Sequence, residues 1–181
     1  MKNKKLWLLI FTGLAIEVFY LTYNLVETGS AQTVLKYIIV FAAVFIAVTV
    51  GFFKLKKHGV QMEEKEQNIL FAIILLFSII FGMTLVFNEP GQSDDIYRYI
   101  WDGKVLHHGV SPYRYAPQDA ELSNLHSENL PRLVNFPHIK TIYPPVAQMI
   151  FRISYSIFGE NPAGMKFMFL LFMWAGIVVF Y

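Results

Sequence analysis

The chain has 181 residues, of which 55% are hydrophobic and only 15% are charged, and it contains no cysteine. A soluble domain is typically about 45–50% apolar and about 25% charged, so this composition favours a membrane protein. It excludes a disordered chain and a disulfide-stabilised secreted domain. It also excludes a nucleic-acid-binding module, so no nucleic-acid partner is expected.

Four apolar segments are predicted to be membrane-spanning helices, because about 20 residues of helix cross a hydrocarbon core of about 30 Å. They cover residues 6–23, 37–53, 69–87 and 165–181, and the second and third carry no charged residue. Glu17 interrupts the first segment, which is therefore predicted to be a retained signal anchor rather than a cleaved signal peptide. The predicted fold is all-α, a polytopic membrane helix bundle with three spans in residues 1–87.

Basic residues flank the first two segments: Lys2, Lys4 and Lys5 precede the first, and Lys54, Lys56 and Lys57 follow the second. Cytoplasmic loops are enriched in lysine and arginine. The N-terminus and the loop at 54–68 are therefore predicted to be cytoplasmic. An odd number of crossings then makes residues 88–140 an extracytoplasmic loop.

This loop of residues 88–140 contains nearly half of the charged and histidine side chains of the protein. All four aspartates, four of the five histidines and three of the four arginines fall within it. A simple connection between two spans needs only a few residues, so a loop of this length and composition is predicted to be functional. A solvated loop without a task is the alternative.

Within the loop, residues 94–108 are predicted to form a helix at the membrane surface, with its aromatic rings in the interface. Ser93 is a suitable N-cap, Asp94 and Asp95 fall in the first turn, and Gly109 is suited to the C′ position.

The acidic pair at the start of this helix has two interpretations. Asp94 and Asp95 can simply complement the helix dipole, or one of them can act as a general base while the other orients it or binds a metal ion. Arg98 likewise either forms an i,i+4 pair with Asp94 or Asp102 or binds substrate. The spacing alone does not decide between these roles.

A second helix is predicted over residues 145–158, in the last region of the chain, 141–181. Tyr143 precedes a proline and is disfavoured in the helical conformation, whereas Pro145 suits a first helical turn. Arg152 lies on the face opposite the apolar residues of this helix, and a cation near a membrane needs an anionic partner. With about 14 residues, this helix is either interfacial or a short, buried crossing.

An ordered set of motifs links these segments, and its members are Asp94, Asp95, Tyr97, Tyr99, Trp101, Asp102, Gly103, Gly109, Pro112, Tyr113, Tyr143, Pro144 and Pro145. The order is an acidic pair, a helix with Trp-Asp-Gly, then Gly-x-x-Pro-Tyr and Tyr-Pro-Pro. In this order the chain resembles the GT-C superfamily of integral-membrane glycosyltransferases. More narrowly, it resembles bacterial polyprenyl-phosphate-sugar-dependent enzymes of the mannosyltransferase type.

The resemblance implies an enzyme of the bacterial plasma membrane that moves a hexosyl unit, mannosyl by analogy, from a polyprenyl-phosphate sugar to a glycan or lipid-linked hydroxyl acceptor with inversion. Asp94 or Asp95 would be the catalytic base or a ligand of substrate or metal, and no other cofactor is expected. Family members have more spans than this chain. It is therefore expected to be an N-terminal fragment, inactive by itself.

Further side chains are candidates for substrate binding. Tyrosine and tryptophan can stack on sugar faces or belong to the interfacial aromatic belt, and cations can neutralise the leaving phosphate. The predicted substrate-binding residues are Arg98, Tyr97, Tyr99, Trp101, Asp102, Tyr113, Tyr143 and Arg152.

The alternative function is a non-enzymatic polytopic membrane protein, such as part of a transporter or an assembly scaffold with an external docking loop. Transporters commonly contain internal repeats and polar, broken spans. The chain has no detectable repeat, which favours the transferase.

Overall fold

The computed structural model describes residues 3–24, 63–88 and 93–181, together with scattered positions between 35 and 50. All regular structure in these residues is helical, and none of them forms a strand, so the predicted all-α membrane helix bundle is confirmed. The chain divides into two compact units, one of Met1–Thr84 with Tyr181 and one of Leu85–Phe180.

The first unit contains helix α1, Asn3–Asn24, and most of helix α2, Glu64–Val86. Helix α2 is long and apolar enough to cross a membrane, whereas α1 contributes only the shorter apolar stretch Leu9–Val18. Eight of the 17 positions of the predicted span at 37–53 lie outside the described residues. The positions described there are helical.

Helices α1 and α2 run in the same direction. Gly13 lies against the ring of Phe77. The later α1 residues meet later positions of α2, because the Glu17 carboxylate accepts a hydrogen bond from the Thr84 hydroxyl and Tyr20 lies against Phe81. The two helices therefore begin on one side of the bundle and end on the other.

The second unit contains helix α3, Asp95–His107, a 3-10 helix, Ala120–Leu125, and helices α4, Pro145–Phe158, and α5, Pro162–Phe180. Helix α5 is the second of the two described helices that are long and apolar enough to cross a membrane.

Helix α3 is largely buried within this unit, and its predicted position at the membrane surface stays a prediction. Ile100 and Val105 have no exposed surface, and Trp101 is 1% exposed. The reason is that the segment after α3 folds back over it and contributes its own apolar side chains, which are Leu122, Leu125, Leu130 and Val134. Burial of one such aliphatic side chain stabilises the fold by about 1.5–3 kcal/mol.

Helices α3 and α4 are parallel and pack very closely. Tyr99 contacts Tyr143, and His107 contacts Ser156, so the beginnings of the two helices lie side by side, as do their ends. The closest approach is at Gly103, where a Cβ atom would lie 2.4 Å from the carbonyl oxygen of Phe151. Only glycine fits at this crossing.

Helix α4 then turns back along the first half of α5. Only Gly159–Asn161 separates the two helices, and Gly159 has the positive φ of 62° that a sharp reversal needs. The rings of Phe151 and Phe169 lie 6.2 Å apart. The two helices are therefore paired with opposite directions.

Replacing Gly103 with alanine is predicted to lower the stability of the protein by about 1–3 kcal/mol, because the new methyl group meets backbone that cannot rotate away. The measurement is the thermal unfolding midpoint of the detergent-solubilised full-length protein. The matched control is Gly176→Ala in α5, where a Cβ would meet nothing within 4 Å. Equal midpoints for the two variants would contradict the close crossing.

Candidate functional site

The candidate site lies at the end of the second unit where α3 and α4 both begin. The structure brings Asp95, Tyr99 and Tyr143 together there, since the Tyr99 and Tyr143 rings lie 5.0 Å apart and the charge of Asp95 acts on the Tyr143 phenol. Arg98 also acts electrostatically on that phenol.

A buried carboxylate, Asp102, organises the base of the site. Its Oδ1 accepts a hydrogen bond of 3.0 Å from Nε of Arg98, and its Oδ2 accepts one of 2.9 Å from Nε2 of Gln148 and one from the hydroxyl of Thr141. Arg98 in turn donates from Nη2 to the carbonyl of Ile139 at 2.8 Å. This network connects α3, α4 and the segment that precedes α4.

Burial governs the electrostatics of Asp102, which is 1% exposed. Burial raises the pKa of this carboxyl above its ordinary value of 3.8, although hydrogen bonds from Thr141 and Gln148 and the charge of Arg98 oppose the shift. The observed Arg98–Asp102 pair corresponds to the structural role that the i,i+4 spacing allowed for Arg98.

The peptide unit of Tyr143 is held by two side chains. Its N–H points to the hydroxyl of Thr141 at 3.4 Å, and its carbonyl accepts a hydrogen bond from the hydroxyl of Tyr113. The Tyr113 and Tyr143 motifs, thirty positions apart in sequence, are thereby joined directly.

The phenol of Tyr143 remains protonated in this environment. Partial burial, a hydrogen bond with Tyr99 and the negative charge of Asp95 raise its pKa well above the ordinary value of 10.0. Tyr143 can therefore act as a hydrogen-bond donor at the site but not as a base near neutral pH.

The two acidic residues at the start of α3 have different surroundings. Asp94 occupies the N-cap position, where Ser93 was expected, and it makes no side-chain capping hydrogen bond. Ser93 instead accepts a hydrogen bond from the N–H of Asp95 at 3.3 Å. Asp94 is exposed, whereas Asp95 is half-buried towards Tyr143. As the sequence predicts, Gly109, with φ of 79°, takes the C′ position of α3.

Several predicted substrate-binding residues lie away from this end. Trp101 is in the core, with its ring against that of His126, and Asp102 is beneath the site. Tyr97 is half-buried, and its role stays a prediction. Arg152 is exposed on α4, about 10 Å along the helix axis from Pro145 at about 1.5 Å per residue.

Two other basic residues of the region 88–140 interact with groups away from this site. Lys104 forms an ion pair of 2.7 Å with Glu160, whose second oxygen accepts a hydrogen bond from Ser127. His107 is hydrogen-bonded to Ser156 at 2.9 Å. These groups surround the opposite end of the α3–α4 pair, whereas Arg98 acts on Tyr143.

Sequence reasoning missed Thr141 and Gln148. The available signal was the position of Gln148, a polar residue on the face of α4 that also carries Phe151 and Tyr155 and that packs against α3. As for metal ions, the described part of the chain has no group of three His, Cys, Asp or Glu side chains that could hold one. A divalent ion at Asp94 and Asp95 stays a prediction.

The pH dependence of stability is predicted to reflect Asp102. Because its folded pKa is raised, its stabilising contribution is complete below 3.8 and is lost as the pH rises through the folded value. The substitution Asp102→Asn should remove this part of the pH dependence, as measured by thermal unfolding from acidic to neutral pH. Glu121→Gln, which changes an exposed carboxyl, should retain the slope of the wild type. The same slope in Asp102→Asn would refute the assignment.

Comparison of the sequence with known families gives a match. Residues 12–181 match the family described as "Alpha-(1->6)-mannopyranosyltransferase, N-terminal domain". Comparison with curated proteins gives no match, and comparison with solved structures gives none either. The family match covers nearly the whole chain and includes all the predicted site residues, and it favours the transferase over the transporter or scaffold. The chain therefore belongs to this mannosyltransferase family, as the resemblance in its motifs indicated.

Proposed function

We propose that the site at the beginnings of α3 and α4 transfers a mannosyl unit from a polyprenyl-phosphate donor to a hydroxyl group of a glycan or lipid-linked acceptor, with inversion. Membership of the mannosyltransferase family supports the transferred sugar. The observation that carries the proposal is a half-buried carboxylate, Asp95, beside a protonated phenol, Tyr143, and a fixed cation, Arg98.

Asp95 is the proposed catalytic base, and Asp94 has a supporting electrostatic role. A base needs a defined position next to the acceptor hydroxyl. Asp95 is half-buried and its charge acts on Tyr143, whereas Asp94 is exposed at the helix start.

The reaction is a single displacement. The carboxylate of Asp95 takes the proton of the acceptor hydroxyl while the acceptor oxygen forms a bond to C1 of mannose. The bond between C1 and the phosphate oxygen breaks, and its electron pair leaves with the polyprenyl phosphate. Attack opposite the leaving group inverts the configuration at C1. The leaving phosphate is a stable anion, so it needs nearby positive charge more than a proton.

That positive charge has two sources. Arg98 is held in place by Asp102 and by the carbonyl of Ile139. In addition, α3 and α4 begin at the same end of the pair, and each helix start is equivalent to roughly half a positive charge. In many enzymes, preorganised charges of this kind make the largest contribution to stabilising the transition state.

Three tyrosines are proposed to contact the sugars. Tyr99 and Tyr143 present partly exposed rings at the site, and Tyr113 is 42% exposed while its hydroxyl holds the Tyr143 carbonyl. Trp101 and Asp102, which are buried, are proposed to position this layer from below rather than to touch substrate. Arg152 is better suited to a more distant phosphate.

For the membrane topology, we propose a cytoplasmic N-terminus and an extracytoplasmic site in the bacterial plasma membrane. The parallel direction of α1 and α2 supports this, because it assigns the lysine-rich N-terminus and the start of α2 to the same side. The chain that follows α2 then leaves the membrane on the opposite side, where a lipid-linked donor can be reached.

Asp95→Asn in the full-length enzyme is predicted to lower kcat/KM for mannosyl transfer by about 10²–10⁴-fold, which is the typical contribution of a general base. Asp94→Asn should cause a smaller loss. Transfer is measured with a radiolabelled polyprenyl-phosphate mannose and purified protein. Glu121→Gln is the matched control and should be fully active. Normal transfer by Asp95→Asn would rule out Asp95 as the base.

Tyr143→Phe is predicted to lower kcat/KM by roughly 10–100-fold, because a hydrogen bond to a charged substrate group is worth about 1.5–3 kcal/mol. Its thermal stability should stay near that of the wild type, since the ring still packs against Tyr99 and Phe151. Tyr155→Phe, at the other end of the same helix pair, is the control. If both variants lost the same activity, the phenol of Tyr143 would have no specific role.

A further inference from the structure

Gln148 is a buried polar side chain between α3 and α4. It lies in the first turn of α4, is 2% exposed, and shares its side of the helix with Phe151, which belongs to the core. An amide is costly to bury unless its polar atoms are hydrogen-bonded. The hydrogen bonds of Gln148 therefore indicate why an amide occupies this position.

The amide of Gln148 acts as a hydrogen-bond donor only. Its Nε2 donates to Oδ2 of Asp102 at 2.9 Å and to the hydroxyl oxygen of Thr141 at 2.8 Å. Its Oε1 is buried and has no hydrogen-bond partner in the part of the chain that the structure describes. An amide nitrogen carries two hydrogens, so both of them are used while the acceptor is not.

The opposite orientation of this amide is unfavourable. It would place Oε1 beside Oδ2 of Asp102 and the hydroxyl oxygen of Thr141, so that three oxygen atoms would share the single hydrogen of that hydroxyl. That hydrogen already goes to Asp102. Both hydrogens of Gln148 are therefore needed where they are, and the Asp102 carboxyl is the acceptor at which these hydrogen bonds end.

This set of hydrogen bonds fits the charged form of Asp102. Its Oδ2 accepts from Thr141 and Gln148, and its Oδ1 accepts from Arg98, so neither oxygen donates. Burial favours the neutral form and raises the pKa of the carboxyl, and these three groups oppose that rise. They come from α3, from the segment before α4 and from α4, whereas the buried residues of α5 are uncharged.

Arg98 depends on the charge of Asp102 for its position. Nε of Arg98 lies 3.0 Å from Oδ1 of Asp102, and the arginine is 6% exposed. A buried cation without a charged partner is strongly unfavourable. If Asp102 became neutral, the guanidinium would lose this partner, and with it the orientation from which it acts on Tyr143.

We propose that Gln148 is a positioning residue of the transfer reaction: its amide holds Asp102 in the charged form, and the charged Asp102 holds Arg98 where the leaving phosphate develops its charge. This role rests on the proposed function, which assigns Arg98 to that phosphate. It also accounts for the unpaired Oε1, because the site needs the two hydrogens of the amide and not its oxygen.

The first test is the pH dependence of mannosyl transfer by the full-length enzyme carrying Gln148→Met, which keeps the length of the side chain and removes both donors. Without these donors Asp102 takes up a proton at higher pH. The acid limb of kcat should therefore move up by about one pH unit, which lowers kcat about tenfold on the acid side. At alkaline pH kcat should approach that of the wild type, and KM for polyprenyl-phosphate mannose should change little at any pH.

Two further variants make this test specific. Gln148→Glu keeps the shape of the side chain but adds a second carboxyl beside Asp102, so the acid limb should move further in the same direction. Gln118→Met, the same substitution at an exposed position, should have the pH profile of the wild type. An unchanged profile in both Gln148 variants, or a loss of kcat by the same factor at every pH, would overturn the proposal, because the second result would indicate a role in packing alone.

The charge of Asp102 can also be observed without transfer activity. Infrared spectra of the full-length protein with isotope-labelled aspartate are compared with those of Asp102→Asn, so that the difference reports the Asp102 carboxyl. We expect a carboxylate in the wild type at neutral pH, and in Gln148→Met its conversion to the carboxylic acid at a higher pH than in the wild type. A neutral Asp102 in the wild type at neutral pH, or the same titration in both proteins, would overturn the proposal.

The two measurements separate this proposal from the proposed function. If no protein transferred mannose, the wild type included, the proposed function would fail. The infrared titration would still decide whether Gln148 holds the charge of Asp102.

Discussion

The hydrogen bonds of one buried carboxylate determine where the parts of the candidate site lie. Asp102 accepts hydrogen bonds from Arg98 on its own helix, from Thr141 before α4 and from Gln148 within α4. A buried carboxylate with an incomplete set of donors is strongly unfavourable, so the three segments are constrained to meet at this point. This requirement also sets the positions of the candidate-site side chains at the beginnings of α3 and α4.

The close crossing at Gly103 and the Asp102 network depend on each other. Helix packing at ordinary distances of 8–10 Å would leave Gln148 further from Asp102. The absence of a side chain at Gly103 lets the backbone of α4 approach, and the neighbouring Asp102 then reaches its donors on α4. Three adjacent residues in one turn of helix thus have different roles. Trp101 packs in the core, Asp102 forms the hydrogen bonds to α4, and Gly103 leaves room for the backbone of α4.

The sequence was sufficient to predict the helical class, the acidic helix start and the family. Apolar periodicity and proline positions are local signals, and they indicated helices over 94–108 and 145–158, where the structure has Asp95–His107 and Pro145–Phe158. The interior position of α3 was not predictable in this way. The residues that cover it, such as Leu122 and Leu130, are irregularly spaced, so their side chains share no periodic pattern.

The polar partners of the site were beyond sequence reasoning for a different reason. Thr141 and Gln148 meet Asp102 only because α3 and α4 are parallel and in one register, which is a tertiary property. Likewise, Asp95 acts electrostatically on Tyr143, which comes nearly fifty residues later in the chain. Adjacent acidic residues look equivalent in a sequence, and only the packing around them separates an exposed carboxylate from an enclosed one.

The hydrogen bond between the Tyr113 hydroxyl and the Tyr143 carbonyl closes the chain between them into a lobe with both ends fastened. The inner side of this lobe packs against α3 through three leucines and one valine. Its outer side is exposed and includes Ser123, Asn124 and Glu128. Substitutions or insertions on the outer side of the lobe can therefore leave the geometry of the candidate site at its two ends unchanged.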